Sequence, residues 1–428
     1  MTAINTRRII LVAAAAATMG LWADVKVTFV GDALCGNRFM ETFRTGTNTF
    51  DFTEAFAGVK PLFAASDYVV ANLETPIAPD NLDLTHERWC FCSPREYAQA
   101  LKDAGVDFVF TANNHCLDRG PAGIGRTIAA LDAIGLPHTG TFATRQAADT
   151  PSVVDVKGFK LGILSYTYGS NAFSNRQYLN DDNRFMVNLF QRQELWEPDA
   201  REWTFGNRNS PLAKTYAERE AKRWPENLKL PVYERIEEHE FERAHVKADV
   251  ARMKAAKPDF VLMGMHAGGQ YNPVETKYTK ELVSFLSGCG VDWIVGAHEH
   301  VIHGSDFSRL ADGRLVTYSL GNFISTTGVW GKPFDKMAEW SIAWHVYLAR
   351  DAAGKAKVAK TTFSVLTIVL TNEQKIRVAC ASDLYAAEKD EAKKAKLKAD
   401  ILESARRFCG RDFTREGVLP EYDPLATR

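Results

Sequence analysis

Short β-rich runs alternate with helical segments along most of the chain, and this alternation limits the fold more than any other feature. Val25–Val30, Tyr68–Leu73 and Phe108–Phe110 are rich in β-branched and aromatic residues. Ile124–Ile134 carries apolar residues at helical spacing and closes on Gly135, a typical helix stop. Strands that alternate with helices predict an α/β domain with a largely parallel sheet core.

Polar side chains follow the predicted strands at the points where the strands end. They are Asp32, Glu74, Asn114, His115, His266, His298 and His300. In an open α/β sheet, the loops at the carboxyl ends of the strands converge on one crevice. Carboxylate, amide and imidazole ligands without thiolates suit one or two divalent ions such as Mn, Fe or Zn. The sequence therefore predicts a metal site at this edge of the sheet.

The strongest local signal for metal binding is Gly296–His300, which reads Gly-Ala-His-Glu-His. Two imidazoles that lie two residues apart after a strand and a glycine can face a common point. Isolated histidines are expected to be ordinary hydrogen-bonded residues, namely His86, His138, His239, His245, His303 and His345.

Several motifs resemble, in this order, the signatures of one protein family. They are Gly31-Asp32, Asn72-Leu73-Glu74-Thr75-Pro76, the run from Asn113 to Gly120 (Asn-Asn-His-Cys-Leu-Asp-Arg-Gly), Gly296–His300, and Ser319-Leu320-Gly321-Asn322-Phe323. The set resembles the CapA proteins, the capsule or poly-γ-glutamate synthesis family within the calcineurin-like metallophosphoesterase superfamily. The similarity runs from about Val25 to Ile324, with an interruption at 171–257.

The resemblance implies a four-layer αββα fold with a metal centre at the sheet edge. It implies metal ligation by Asp32, Glu74 (as a bridging carboxylate), Asn114, His266, His298 and His300. His115 resembles the catalytic acid of the superfamily, and Asp118 could orient its ring. Substrate contacts are expected from Asn72, Asn322 and Tyr271.

Four positions depart from the patterns of the superfamily or the family. Leu34 stands where the superfamily has a histidine, and Asn37 replaces a common arginine; Ala267 and Gln270 replace a Trp and a Glu of the fourth motif. Because leucine cannot coordinate a metal, we expect unequal sites. The tighter site draws on Glu74, Asn114, His266 and His298, and the weaker site on Asp32, Glu74 and His300.

The sequence divides into four regions. Residues 1–23 resemble a secretory signal peptide, with Arg7-Arg8 before a short apolar run; an uncleaved membrane anchor is the alternative. Residues 24–340 are expected to form the metallophosphatase-like domain. An insertion is expected at 171–257; it holds Trp196, Trp203 and Trp224 and ends in a predicted solvated helix over Glu234–Lys257. This insertion is either a surface excursion or a lid. Residues 341–428, with two strands and a charged helix over Tyr385–Cys409, complete the domain or are appended to it.

The charge composition of the chain argues against one class of partner, nucleic acid. The 52 Lys and Arg residues nearly balance 53 Asp and Glu residues, so no basic field points to nucleic acid. The resemblance implies an anionic polymer as substrate, with membrane-bound polymer synthesis components as further partners. Three functions stay open: an exported metal-dependent hydrolase of phosphoesters or amide-linked polymers, a component of polymer synthesis or export, and a binding protein with a degenerate centre. The expected location is the periplasm or cell envelope.

Overall fold

The computed structural model describes residues 25–426, except 86–88, 176, 192, 194–235, 273, 327–328 and 330–336. The strands are β1 (Val25–Ala33), β2 (Arg44–Gly46), β3 (Thr49–Phe50), β4 (Tyr68–Leu73), β5 (Ile77–Ala78), β6 (Ser93–Pro94), β7 (Phe108–Phe110), β8 (His138–Thr139), β9 (Val153–Val156), β10 (Phe159–Thr167), β11 (Phe260–His266), β12 (Trp293–Ala297), β13 (Ser305–Asp306), β14 (Leu315–Thr317), β15 (Asn322–Ile324), β16 (Trp340–Arg350), β17 (Ala356–Leu370) and β18 (Ile376–Cys380). The helices are α1 (Asn37–Thr42), α2 (Lys60–Ala64), α3 (Arg95–Ala104), α4 (Gly120–Ala133), α5 (Arg145–Asp149), α6 (Ala172–Asn175), α7 (Ile236–Ala255), α8 (Lys277–Cys289), α9 (Ala381–Ala387) and α10 (Glu391–Cys409).

Two large sheets organise the described part of the chain. The first has the order β18-β17-β16-β1-β4-β7-β8, with β15 pairing to β1 off this path. Its strands β1, β4, β7 and β8 are parallel neighbours, whereas β16, β17 and β18 are antiparallel. The second sheet has the order β13-β14-β12-β11-β10-β9, and its central strands are parallel. The predicted α/β class with a parallel core is confirmed.

The two sheets pack face to face around a shared core. Phe29 of β1 contacts Trp293 of β12 edge-on, with ring centroids 6.2 Å apart. Alternate residues of a strand point to opposite faces, and β7 shows this directly. Phe108 and Phe110 lie in the core between the sheets, whereas Val109 faces the helices on the outer side.

Helices cover the outer face of each sheet, which completes the predicted αββα order. Leu101 of α3 and Leu131 of α4 pack on the first sheet. On the second sheet, α7 and α8 share a core with β10, β11 and β12. The helix predicted over 234–257 is present as α7, but the prediction that it is solvated is wrong, because α7 buries Val246, Val250 and Met253.

The C-terminal region is built into the first sheet. Strand β16 pairs with β1 antiparallel, from Val25 opposite Leu348 to Phe29 opposite Trp344. The predicted single helix over Tyr385–Cys409 is two helices, since the side chain of Asp390 caps the start of α10.

Some predictions fall on residues that the structure does not describe. The signal peptide at 1–23 and the three tryptophans of the insertion lie outside the described residues. Among those described, no helix combines the length and the apolar character that crossing a membrane requires.

Candidate metal centre

The strands of the two sheets deliver the predicted ligands to one place. Asp32 near the end of β1 is in register with Asn72 of β4, and Glu74 directly follows β4. In the second sheet, His266 is the last residue of β11 and pairs with Ala297. The backbone N–H of His298 donates to Oδ2 of Asp32 at 3.1 Å, which links the sheets at the centre.

Local backbone geometry explains the glycines of the motifs. A Cβ atom on Gly31 would lie 1.8 Å from the carbonyl oxygen of Gly321, and one on Gly296 would lie 1.9 Å from that of Tyr318. His298 and His300 have φ values of 98° and 59°, in a region that costs non-glycine residues about 1–3 kcal/mol. Such backbone strain is concentrated at functional sites in proteins.

The first ligand group consists of Glu74, His266 and His298, with Asn114 beside them. Nε2 of His266 lies 2.9 Å from Oδ1 of Asn114, 3.1 Å from Nδ1 of His298 and 3.6 Å from Oε1 of Glu74. All four side chains are buried. This group coincides with the tighter site expected from the sequence.

The second ligand group consists of Asp32, Glu74 and His300. Nδ1 of His300 lies 3.5 Å from Oδ2 of Asp32, and its Nε2 lies 3.8 Å from Oε1 of Glu74. Asn322 accepts a hydrogen bond from Nδ1 at 2.9 Å, which leaves Nε2 for a metal. This group has fewer protein ligands than the first and coincides with the expected weaker site.

The environment of Glu74 fits a bridging metal ligand. Both of its carboxylate oxygens are buried, and neither has a hydrogen-bond partner among the described residues. Burial, with Asp32 and Asp118 nearby, holds the pKa of Glu74 well above its usual value. An unpartnered buried carboxylate is costly, and divalent cations would supply the missing partners.

Burial also shifts the pKa values of the other candidate ligands. Burial raises the pKa of Asp32 to about 7, although a hydrogen bond from Asn72 opposes the rise. Burial also lowers the pKa of His300 to about 4 and that of His266 and His298 well below the usual value. The imidazoles are therefore neutral at physiological pH, which is the form that binds metals.

His115 and Asp118 form a buried pair at the edge of the ligand groups. Nδ1 of His115 lies 2.6 Å from Oδ2 of Asp118, which also accepts the backbone N–H of Phe91 at 2.7 Å. The Phe91 ring packs on the imidazole, with centroids 4.4 Å apart. Asp118 thus fixes the Nδ1–H tautomer and leaves Nε2 for a substrate.

The three predicted substrate-binding residues also lie at the centre. Asn72 donates to Asp32 at 2.7 Å, and Asn322 donates to the carbonyl oxygens of His300 and Ala338. The Tyr271 ring stacks on that of His300 at 5.3 Å. The contacts of Asn72 and Asn322 position ligand residues, and a role of any of the three in substrate binding stays a prediction.

Sequence reasoning missed three residues at the centre. Tyr168 follows β10 and packs its ring 4.6 Å from that of His298. Asn171 lies 3.4 Å from the side chain of Asn114, and Asn175 lies 3.2 Å from that of Asp118. The rule that strand ends carry the site could have found Tyr168, whereas the two asparagines belong to none of the matching motifs.

Fold and site together define an αββα protein with a candidate metal centre of mixed carboxylate, amide and imidazole ligands. The family model described as "Bacterial capsule synthesis protein PGA_cap" matches residues 26–327. The chain belongs to this family, and the resemblance seen in its motifs is confirmed.

The chain is similar to two relatives and to one solved structure. The chain is 23% identical over 338 residues to the PGA biosynthesis protein CapA of Bacillus subtilis (strain 168), covering 78% of this chain and 70% of that protein. It is 24% identical over 307 residues to the capsule biosynthesis protein CapA of Bacillus anthracis, covering 71% of this chain and 60% of that protein. A Staphylococcus aureus protein described as a 5′-nucleotidase, solved with α-ketoglutarate, aligns with a TM-score of 0.37 at 11% identity, over 88% of this chain and 58% of that one.

Proposed function

We propose that this chain is an exported, metal-dependent hydrolase that acts in the synthesis, export or processing of an anionic capsule or cell-envelope polymer such as poly-γ-glutamate. Glu74 carries the proposal, because its buried carboxylate has no hydrogen-bond partner among the described residues and is shared by two groups of ligand residues. Family membership and the names of the two relatives support the assignment to capsule synthesis.

The proposed chemistry divides between the ions and the side chains. Divalent ions held by the two ligand groups would polarise the scissile group and make water a stronger nucleophile. Asn72 and Asn322 hold Asp32 and His300 in place through hydrogen bonds of 2.7 and 2.9 Å. In its imidazolium form, with the Nδ1–H held by Asp118, His115 would donate its Nε2 proton to the leaving oxygen or nitrogen, and the neutral Nδ1–H imidazole would remain.

The His115–Asp118 pair favours a hydrolase over a protein that only binds a polymer. Asp118 is buried, and its carboxylate is used to hold the imidazole ring rather than to complete either ligand group. Binding alone does not require an imidazole held in one orientation by a buried carboxylate, whereas acid catalysis at a defined leaving atom does.

A hydrolysis screen with added Mn²⁺, Fe²⁺ or Zn²⁺ tests the proposal. The substrates are p-nitrophenyl phosphate, bis(p-nitrophenyl) phosphate and γ-glutamyl oligomers. We expect cleavage of γ-glutamyl oligomers that is lost in His115→Gln and kept in the control His138→Gln, whose ring lies at the edge strand β8. Cleavage of phosphoesters alone would instead identify a small-molecule phosphoesterase, and polymer binding without cleavage would identify a binding protein.

A further inference from the structure

The segment that follows β10 contacts the His115–Asp118 pair through Asn175. Nδ2 of Asn175 donates to Oδ1 of Asp118 at 3.2 Å. Asn175 is the last residue of α6, in a region that the sequence assigns to an insertion. The side chain therefore connects the start of the insertion to the carboxylate that orients His115.

Two backbone groups fix the orientation of the Asn175 amide. Its Oδ1 accepts the N–H of Gln177 at 2.9 Å, and its Nδ2 donates to the carbonyl oxygen of Ser170 at 2.7 Å. Because the donor and acceptor character of backbone groups is fixed, the amide cannot be flipped without losing both bonds. The N–H group must therefore face Asp118.

Each oxygen of the buried Asp118 carboxylate has its own donors. Oδ2 accepts from His115 and from the backbone of Phe91, and Oδ1 accepts from Asn175. Without Asn175, Oδ1 would lose this bond in a buried site, and the plane of the carboxylate would be held at one oxygen only. We propose that Asn175 is a positioning residue for the His115–Asp118 pair, an inference that rests on the proposed hydrolase function.

Further hydrogen bonds anchor this segment over the centre. Nε2 of Gln193 donates to Oγ of Ser170 at 2.6 Å, and its Oε1 accepts the N–H of Leu179 at 2.7 Å. Asn171 accepts a long hydrogen bond, 3.4 Å, from Nδ2 of Asn114, which leaves Oδ1 of Asn114 facing His266. The segment is thus held next to the catalytic pair and a metal ligand at once.

Asn175→Asp is the sharpest test, because it replaces one NH₂ group by an oxygen and keeps the acceptor for Gln177. The new oxygen cannot donate to Oδ1 of Asp118, so the carboxylate that holds the Nδ1–H of His115 is fixed at one oxygen only. Asn180→Asp is the matched control. It makes the same change in the same segment at an exposed residue whose Oδ1 accepts the N–H of Asp182 at 3.0 Å.

The first readout is the proton NMR signal of the His115 Nδ1–H, which a short bond to a carboxylate shifts far downfield. His115→Gln assigns the signal. We expect the signal to move or vanish in Asn175→Asp and in Asn175→Ala, and to stay unchanged in Asn180→Asp. An unchanged signal in both Asn175 variants would overturn the inference, with or without a known substrate.

The second readout separates this inference from the proposed function. On whichever substrate the wild-type protein cleaves, we expect kcat to fall at least tenfold in Asn175→Asp while KM and metal content stay within twofold. A wild-type kcat in Asn175→Asp would overturn the positioning role and leave the hydrolase proposal intact. Absence of any cleavage by the wild-type protein would defeat the hydrolase proposal. The NMR result would then be the one test of whether Asn175 positions the His115–Asp118 pair.

Discussion

At the scale of single residues, Glu74 and its neighbours explain how a metal centre can be assembled without thiolates. Glu74 belongs to both ligand groups, and Leu34 follows Asp32 at the position where the superfamily resemblance predicts a histidine. The three imidazoles are held neutral by burial, while both carboxylates have raised pKa values. The carboxylates, rather than the histidines, therefore set the pH at which protons compete with metal.

Metal affinity should fall as the pH is lowered from 8 to 5. Asp32 has a pKa of about 7, so it takes up a proton in this range and must release that proton to bind an ion. Burial also raises the pKa of Glu74, which acts in the same direction. His300, with a pKa of about 4, stays neutral throughout. We expect the affinity for Mn²⁺, measured by equilibrium dialysis, to fall about tenfold per pH unit for each proton that the metal displaces. A metal affinity that does not change between pH 8 and pH 5 would contradict this prediction.

At the scale of elements, the C-terminal helix closes one end of the core. Phe408 of α10 contacts the rings of Phe307 and Phe363, with centroids 5.9 and 4.9 Å apart. Lys26 of β1, Tyr347 and Thr362 all donate to the carboxylate of Glu421. These contacts support the prediction that residues 341–428 complete the domain.

Phe408→Ala should lower the free energy of unfolding by about 3–5 kcal/mol, because it opens a cavity in this fully buried cluster. Urea denaturation followed by tryptophan fluorescence measures the loss. Lys393→Ala, on the exposed side of the same helix, should change stability by less than about 0.5 kcal/mol. A second transition that keeps the wild-type midpoint would show that the C-terminal region folds as an appended unit.

The sequence predicted the strands more reliably than the helices. The bounds of β4 and β7 match the predicted runs, since β-rich residues end there at clear polar signals. Helix α7 was predicted, but its buried face was not, because dense charges hide Val246, Val250 and Met253, which recur at helical spacing. Asn175 was beyond prediction, because its contact with Asp118 depends on how a loop without a motif folds back.

At the scale of the whole molecule, the centre lies where the two sheets meet. The predicted strand ends identified the ligand residues, but a sequence does not show which sheet carries each strand or how the sheets face each other. The contact between the backbone of His298 and Asp32, which joins the sheets, could therefore come only from the structure.

The prediction that the whole protein is exported depends on the sequence of residues 1–23. We expect cleavage near Ala23, because a basic start precedes a short apolar run and a small residue. N-terminal sequencing of the protein from its native envelope fraction checks this. A chain that keeps Met1 or Thr2 in the membrane would favour the anchor alternative, and an intact chain in the cytosol would contradict both.

Metal stoichiometry tests the central claim most directly. Elemental analysis after gel filtration should find about one tightly held ion per chain, and a second only after metal is added, because Asn114 gives the Glu74–His266–His298 group a fourth ligand that the Asp32 group lacks. His266→Ala should remove the tight ion. Two tightly held ions would contradict the unequal sites, and no ion even after reloading would contradict the metal centre itself.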